Sequence, residues 1–157
     1  VNGVAAGIGC SLALASDFVI AGESAYFLLA FVNIGLVPDG GATWWISRSI
    51  GSARAMEMMM LGERIPAAKA AEWGLIYKAV PDAALIEEAR TLAMRLANGP
   101  TLALGSMRQL VRHAMHSSYA QALAAEADAQ ATAGGSADAM EGISAFLTKR
   151  PANFTGK

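Results

Sequence analysis

The chain opens with VNGVAAGIGC (residues 1–10), and this stretch decides how the fold is interpreted. Its first four residues are typical of the end of a buried strand, and the Gly7-Ile8-Gly9 turn precedes a short helix predicted at 10–16. A strand, a glycine turn and a helix start leave main-chain N–H groups pointing outward, with partial positive charge from the helix dipole. Such a site can bind a phosphate or a developing oxyanion. The alternative is that both glycines serve only a tight turn.

A second motif, GLVPDGG (residues 35–41), contains a strong loop signal in its Pro-Asp-Gly-Gly segment. Asp39 is the only acidic residue between Glu23 and Glu57, and its surroundings are very apolar. Desolvation by such surroundings would make the carboxylate a usable general base. The alternative is that Asp39 caps a helix predicted to begin near Gly40, since aspartate is favoured at helix N-caps.

The pattern of apolar residues predicts two regions, which we place at residues 1–80 and 81–157. The first mixes glycine turns and short helices with short strands, including two buried strands predicted at 18–21 and 25–28. The second indicates a series of helices, and Asp82 is expected to cap the first of them.

The charge balance argues against several classes of partner. Lys and Arg number 12 against 13 Asp and Glu, a formal net charge of −1, whereas nucleic-acid binding favours a basic excess. The longest uncharged stretches, 1–16 and 24–38, are shorter than the roughly 18 apolar residues that a membrane-spanning helix needs. We therefore predict a soluble protein with no nucleic-acid partner and no membrane partner.

Cysteine and histidine usage predicts neither a disulfide nor a metal site. Cys10 is the only cysteine, which excludes an internal disulfide and a cysteine-based zinc site and suits a reducing cytoplasm. His113 and His116 lie three residues apart on a predicted helix, with no third ligand evident nearby. We expect a cytoplasmic protein without a bound metal.

The beginning of the chain has the character of a protein interior. The first residue is Val1, the first charged residue is Asp17 and the first basic residue is Arg48. A signal peptide requires a basic segment at its start, so none is predicted. We expect that the sequence begins within a domain.

Five stretches, taken together, resemble the crotonase, or enoyl-CoA hydratase/isomerase, family, and their order and spacing fit along all 157 residues. They are residues 1–10, 14–21, 34–41, 71–76 and 143–151. The resemblance covers the C-terminal part of the family's domain. It implies an α/β fold of stacked ββα units, incomplete because the N-terminal part is absent, followed by a helical C-terminal region that builds trimers.

The resemblance also implies an acyl-CoA substrate whose thioester oxygen sits in an oxyanion hole with two donors. One donor would be the main-chain N–H of Ile8, in the turn that Gly7 opens, and the other would belong to the missing N-terminal part. Phe146 and Lys149 match positions that contact the CoA nucleotide. No metal or redox cofactor is implied, because CoA is the carrier of the substrate. The assembly implied is a homotrimer or a hexamer formed as a dimer of trimers.

Two departures from the family pattern bear on the reaction. Hydratases of the family use two glutamates, and this chain has Ser11 and Phe31 at those positions. Neither side chain can replace a carboxylate as acid or base. Asp39, however, matches the single acid of certain isomerases of the family. Dehalogenases of the family also place an aspartate there, as a nucleophile, and remain a remote alternative.

The resemblance and these departures together predict an acyl-CoA isomerase. The Ile8 N–H would hold a thioester enolate and Asp39 would transfer the proton. Phe31, Leu36 and Trp44 are expected to shape an apolar acyl pocket, from their position and type. The alternatives are a 2-enoyl-CoA hydratase, or a catalytically incomplete CoA-binding fragment, and the chain by itself is expected to be inactive.

Overall fold

Short strands alternate with helices in the first half of the chain, and helices alone form the second half. The computed structural model describes all 157 residues. The strands are β1 (Val4–Ala6), β2 (Ile20–Gly22), β3 (Tyr26–Leu28), β4 (Ile65–Pro66) and β5 (Lys78–Val80). The helices are α1 (Ile8–Leu14), α2 (Ala42–Leu61), α3 (Ala67–Glu72), α4 (Leu85–Ala97), α5 (Thr101–Ala114), α6 (Tyr119–Gly134) and α7 (Ala137–Leu147), with two 3-10 helices at Ala30–Ile34 and Asp82–Ala84.

The chain forms two compact units, Val1–Ala89 and Arg90–Lys157, and the division falls within α4. The first unit contains all five strands, and the second contains α5, α6 and α7. The assignment of residues 1–80 to a catalytic core and of 81–157 to trimerisation stays a prediction. None of the seven helices combines the length and the apolar character that crossing a membrane requires.

The strand pairing places the glycine turn beside the segment that follows β3. Strand β1 pairs in parallel with β3, with Val4 opposite Tyr26 and Ala6 opposite Leu28. Because the two strands are parallel, their carboxyl ends meet at one edge of the sheet. Gly7 extends this ladder, since its N–H donates to the Leu28 carbonyl at 2.9 Å. The residues after β1 and after β3 therefore lie next to each other.

The two strands predicted at 18–21 and 25–28 are present but shifted, as β2 and β3. They pair with different partners: β2 pairs in parallel with β5, while β3 lies between β1 and the antiparallel β4. The helix predicted at 10–16 begins two residues earlier, at Ile8, because Gly7 alone makes the turn and Gly9 is already helical.

The expected helix cap at Asp82 is wrong. Asp82 begins a short 3-10 helix that precedes α4, and its Oδ1 accepts a hydrogen bond from the Ser24 N–H at 3.1 Å. The carboxylate therefore joins two parts of the first unit that are far apart in sequence. A sequence pattern shows only the local cap option, whereas the partner chosen here is 58 residues away.

The core of the first unit is built from a few large side chains packed among small ones. Phe27, Leu29, Ile46 and Met58 are the largest fully buried apolar side chains. Cys10 is equally buried, and this burial raises the pKa of its thiol to about 12, although a hydrogen bond with the Leu28 backbone acts in the opposite direction. A neutral, buried thiol is a poor nucleophile.

We expect that Cys10 does not react with an aromatic disulfide reagent at pH 8 while the protein is folded. With a pKa of about 12, the thiolate fraction at that pH is on the order of 10⁻⁴, and burial also blocks access. Peptide mapping after labelling, with and without guanidinium chloride, measures this. Rapid labelling of Cys10 without denaturant would contradict the buried position.

Candidate active site

The glycine turn between β1 and α1 leaves two main-chain donors without partners inside the helix. Gly7 has φ +52° and ψ −127°, a conformation that favours glycine. Its carbonyl accepts from the N–H groups of Cys10 at 3.0 Å and Ser11 at 3.4 Å. The N–H groups of Ile8 and Gly9, the first two residues of α1, have no intrahelical acceptor. The turn can therefore offer the Ile8 N–H to an external acceptor, as an oxyanion hole requires.

Phe31 lies directly against this turn. It belongs to the 3-10 helix Ala30–Ile34 that follows β3, and a Cβ built on Gly7 would lie 3.5 Å from the end of its ring. The ring is half-buried. The position at which the resemblance implies a hydratase glutamate thus adjoins the glycine turn, but here it presents a hydrocarbon edge.

The loop that carries Asp39 packs on the first turn of α1. The Ser11 hydroxyl donates to the Asp39 carbonyl oxygen at 2.9 Å. Gly40, with φ +60°, lies so close to α1 that a Cβ would come within 2.3 Å of the Ile8 Cδ1 and 2.8 Å of the Ser11 Cβ. The tertiary structure therefore packs the loop that contains Asp39 against the first turn of the helix that begins at Ile8.

Neither local environment expected for Asp39 is present in this chain. Helix α2 begins at Ala42 with Gly41 as its N-cap and has no capping side chain, so Asp39 is not the cap. Asp39 contributes only its main-chain carbonyl, which accepts from the Ala42 N–H at 3.1 Å. The physical reason is that Gly40 and Gly41 both adopt positive φ, which is incompatible with a helix starting at Gly40.

The apolar burial expected around the Asp39 carboxylate is also wrong for this chain, because the residue is exposed. Val37, an apolar neighbour in the sequence, is largely exposed as well. Proximity in the sequence therefore did not translate into burial of the carboxylate. The assignment of Asp39 as base stays a proposal that depends on the packing of its loop against α1.

The other two predicted pocket residues have different surroundings. Leu36 is 58% exposed, and its N–H donates to the Phe31 carbonyl at 2.9 Å. Trp44 is half-buried in the first turn of α2. Its ring meets Trp45 edge to face at 4.5 Å between centroids, and the Arg48 guanidinium lies 4.4 Å from its centre. Its place in an acyl pocket stays a prediction.

Phe146 and Lys149 belong to the second unit, at and after the end of α7. Phe146 is 83% exposed, and Lys149 is the only non-glycine residue with positive φ, at 53°. The segment around Lys149 is held by Arg150, which makes two hydrogen bonds of 2.6 and 2.8 Å to the Glu141 carboxylate. These bonds lower the pKa of Glu141 to about 2, and the Asn153 N–H acts in the same direction.

Ser11 is the site residue whose role the sequence did not reveal. The sequence showed only that it is not a carboxylate, whereas the structure places its hydroxyl on the loop of the predicted base. Together with Cys10 and Leu14 it forms the buried face of α1. A polar side chain on such a face needs a hydrogen-bond partner, and this is the signal that could have identified it.

The comparisons with known proteins cover the whole chain. A family profile described as enoyl-CoA hydratase/isomerase matches residues 1–157. A Rhodobacter capsulatus protein named "Probable enoyl-CoA hydratase" is 48% identical over 157 residues, which are 100% of this chain and 61% of that protein. The "1,2-epoxyphenylacetyl-CoA isomerase" of Escherichia coli is also 48% identical, over 100% of this chain and 60% of that protein.

Solved structures share the fold as well. The crystal structure of an enoyl-CoA hydratase from Polaromonas sp. JS666 matches with a TM-score of 0.92 and 38% identity, over 98% of this chain and 60% of that one. These likenesses confirm the α/β fold class that the resemblance implied. The chain spans about 60% of the length of the relatives it matches.

Proposed function

Because the chain belongs to the enoyl-CoA hydratase/isomerase family, we propose that the intact protein is an acyl-CoA isomerase that moves a proton through a thioester enolate. The observation that supports this best is the contact between the Asp39 loop and the first turn of α1. It packs the loop that carries Asp39 against the Ile8 and Ser11 side chains at the start of α1. Ser11 and Phe31 leave the two positions at which the resemblance implies hydratase glutamates without an acid or base.

In the proposed reaction the thioester oxygen accepts a hydrogen bond from the Ile8 N–H. Asp39 removes a proton from the carbon next to the carbonyl, and negative charge develops on the thioester oxygen, where the hydrogen bond becomes stronger. The protonated carboxyl then returns the proton to another carbon of the acyl chain, and the double bond moves. Substrate and product therefore contain the same atoms. The step transfers a proton and no net electrons, so it requires no redox cofactor.

Substrate binding is shared among the other predicted residues. Gly7 opens the turn, and Phe31, Leu36 and Trp44 would surround the acyl chain. Their side chains are apolar, which suits a fatty or aromatic acyl group. Phe146 and Lys149 would contact the CoA nucleotide, and the Lys149 ammonium would bind a phosphate group of that nucleotide. The name of the E. coli relative specifies an epoxyphenylacetyl-CoA substrate, so we propose a role in fatty-acid or phenylacetate metabolism.

We also propose that the intact protein is a cytoplasmic homotrimer or a dimer of trimers. The helices of the second unit expose many apolar side chains, which subunit contacts would bury. Among the exposed residues are Met107 and Val111 on α5, Leu123 on α6, and Met140 and Ile143 on α7. The single cysteine, buried and reduced, suits the cytoplasm.

A hydratase is the second candidate, because the relative named as a hydratase is as similar to this chain as the one named as an isomerase. The two are separated by incubating the intact protein with 3-enoyl-CoA and, separately, with 2-enoyl-CoA. We expect conversion of the first to the conjugated thioester. Hydration of 2-enoyl-CoA without any isomerisation would favour the hydratase, and CoA binding without turnover would favour the non-catalytic alternative.

A further inference from the structure

Ser11 is one of two buried polar residues in the chain, and its hydroxyl is committed to a single acceptor. It is 1% exposed, and its Oγ–H donates to the Asp39 carbonyl oxygen at 2.9 Å. Asp138, the other buried polar residue, accepts hydrogen bonds within the C-terminal segment and is accounted for there. A buried hydroxyl needs a hydrogen-bond partner, and Ser11 finds it in a loop 28 residues away.

The Asp39 carbonyl is held from two directions. The Ala42 N–H donates to it at 3.1 Å from the start of α2, and the Ser11 hydroxyl donates at 2.9 Å from α1. Two donors on one carbonyl set the orientation of the peptide group between Asp39 and Gly40. Because the orientation of this peptide group is fixed, the direction of the Asp39 Cα–Cβ bond is restricted. The position of the carboxylate then depends mainly on side-chain rotation.

Ser11 also links this loop to the turn that holds the oxyanion donor. Ile8 and Ser11 lie three residues apart and so share one face of α1. Gly40 contacts both of them, since a Cβ there would overlap the Ile8 side chain and the Ser11 Cβ. Movement of the loop away from α1 would change the distance between the Asp39 carboxylate and the Ile8 N–H.

We propose that Ser11 is a positioning residue that sets the Asp39 carboxylate relative to the Ile8 N–H, and this rests on the proposed function, in which Asp39 transfers the proton. Ser11 takes no proton itself. Its hydroxyl makes the loop of the base and the helix of the oxyanion donor a single rigid unit. A misplacement of about 1 Å can cost about 10²-fold in rate, so even partial loosening is measurable.

The test is a double-mutant cycle on the intact protein, with Ser11→Ala, Asp39→Asn and the double variant. We expect Ser11→Ala to lower kcat about tenfold and to leave KM within about twofold, because a lost orientation affects the transition state more than substrate binding. In the Asp39→Asn background the same change should alter kcat by less than about twofold, because no base remains to be positioned.

The outcomes separate this proposal from the proposed function. A slow Asp39→Asn variant that Ser11→Ala slows by a further tenfold would overturn the positioning role alone, because Ser11 would then act independently of Asp39. A wild-type kcat for Ser11→Ala would also overturn that role. An Asp39→Asn variant as fast as wild type would overturn the proposed function, and the positioning role with it.

Two further variants guard against a merely structural effect. Ser106→Ala removes a hydroxyl that likewise donates to a main-chain carbonyl, that of Leu102 at 3.0 Å, and should leave kcat unchanged. Ser11→Cys has nearly the size of serine but donates only weakly, and it replaces Ser11→Ala in the cycle if the alanine variant does not fold. A wild-type kcat in folded Ser11→Cys would overturn the positioning role.

Discussion

Asp39→Asn should lower the isomerisation rate of the intact protein by about 10²–10⁴ while leaving its thermal midpoint almost unchanged. Asparagine keeps the size of the side chain but cannot accept a proton at neutral pH. We expect no loss of folding stability in this variant, because the Asp39 carboxylate does not cap α2 and the residue is exposed. Conversion of 3-enoyl-CoA to 2-enoyl-CoA and thermal unfolding, measured on the same samples, test both parts.

The control for Asp39→Asn is Glu63→Gln, which also neutralises an exposed acid in the first unit. It should have the wild-type rate, since Glu63 has no place in the proposed chemistry. If the thermal midpoint of Asp39→Asn falls while the isomerase rate holds, Asp39 is structural and the proposed mechanism is wrong. A rate that falls equally in both variants would indicate a general electrostatic effect.

Gly40→Ala should lower the rate by about 10² and also reduce stability, because it moves the Asp39 loop away from α1. Two effects combine at this residue. Its φ of +60° costs an L-residue about 1–2 kcal/mol, and the added Cβ would lie 2.3 Å from the Ile8 Cδ1 and 2.8 Å from the Ser11 Cβ. The Ile8 end can rotate away, but the Ser11 Cβ is fixed to the backbone of α1.

Gly35→Ala is the control that separates the two effects at Gly40, steric crowding against α1 and backbone strain from positive φ. Gly35 also has positive φ, 72°, but a Cβ there would meet nothing within 4 Å. It should therefore lose a similar amount of stability to backbone strain and keep most of the activity. Equal losses of activity in the two variants would show that strain in the loop matters, and that contact with α1 does not.

The parts of the site that local sequence could indicate are those set by short-range sterics. Gly7 sits at a turn between a strand and a helix, and the Pro-Asp-Gly-Gly segment forms a loop, as predicted, because glycine at positive φ and proline restrict the backbone locally. The same holds for the break at Gly51, which separates two helical segments of α2. The resemblance to the family depends on the order of such motifs, and the family profile that matches residues 1–157 confirms it.

The parts that local sequence could not indicate depend on partners far along the chain. Asp82 is a residue type favoured at helix caps, but its carboxylate accepts a hydrogen bond from the Ser24 N–H. Asp39 is the same residue type, but its side chain does not cap α2. In both cases the local option competed with a tertiary arrangement that the sequence pattern does not contain. The apolar sequence around Asp39 also predicted burial wrongly, because residues adjacent in sequence need not pack around one another in the fold.

By itself, the sequence determined the family, the α/β class, the glycine turn before α1 and the absence of acids at Ser11 and Phe31, all of which follow from residue identity and short-range backbone preference. Only the tertiary structure decided that these pieces meet. The parallel pairing of β1 with β3 brings Phe31 to Gly7, and the Ser11 hydroxyl holds the Asp39 loop on α1. Both contacts join residues more than 20 positions apart, and they form because burial of Phe27, Leu29 and Ile46 in one core brings the intervening segments together.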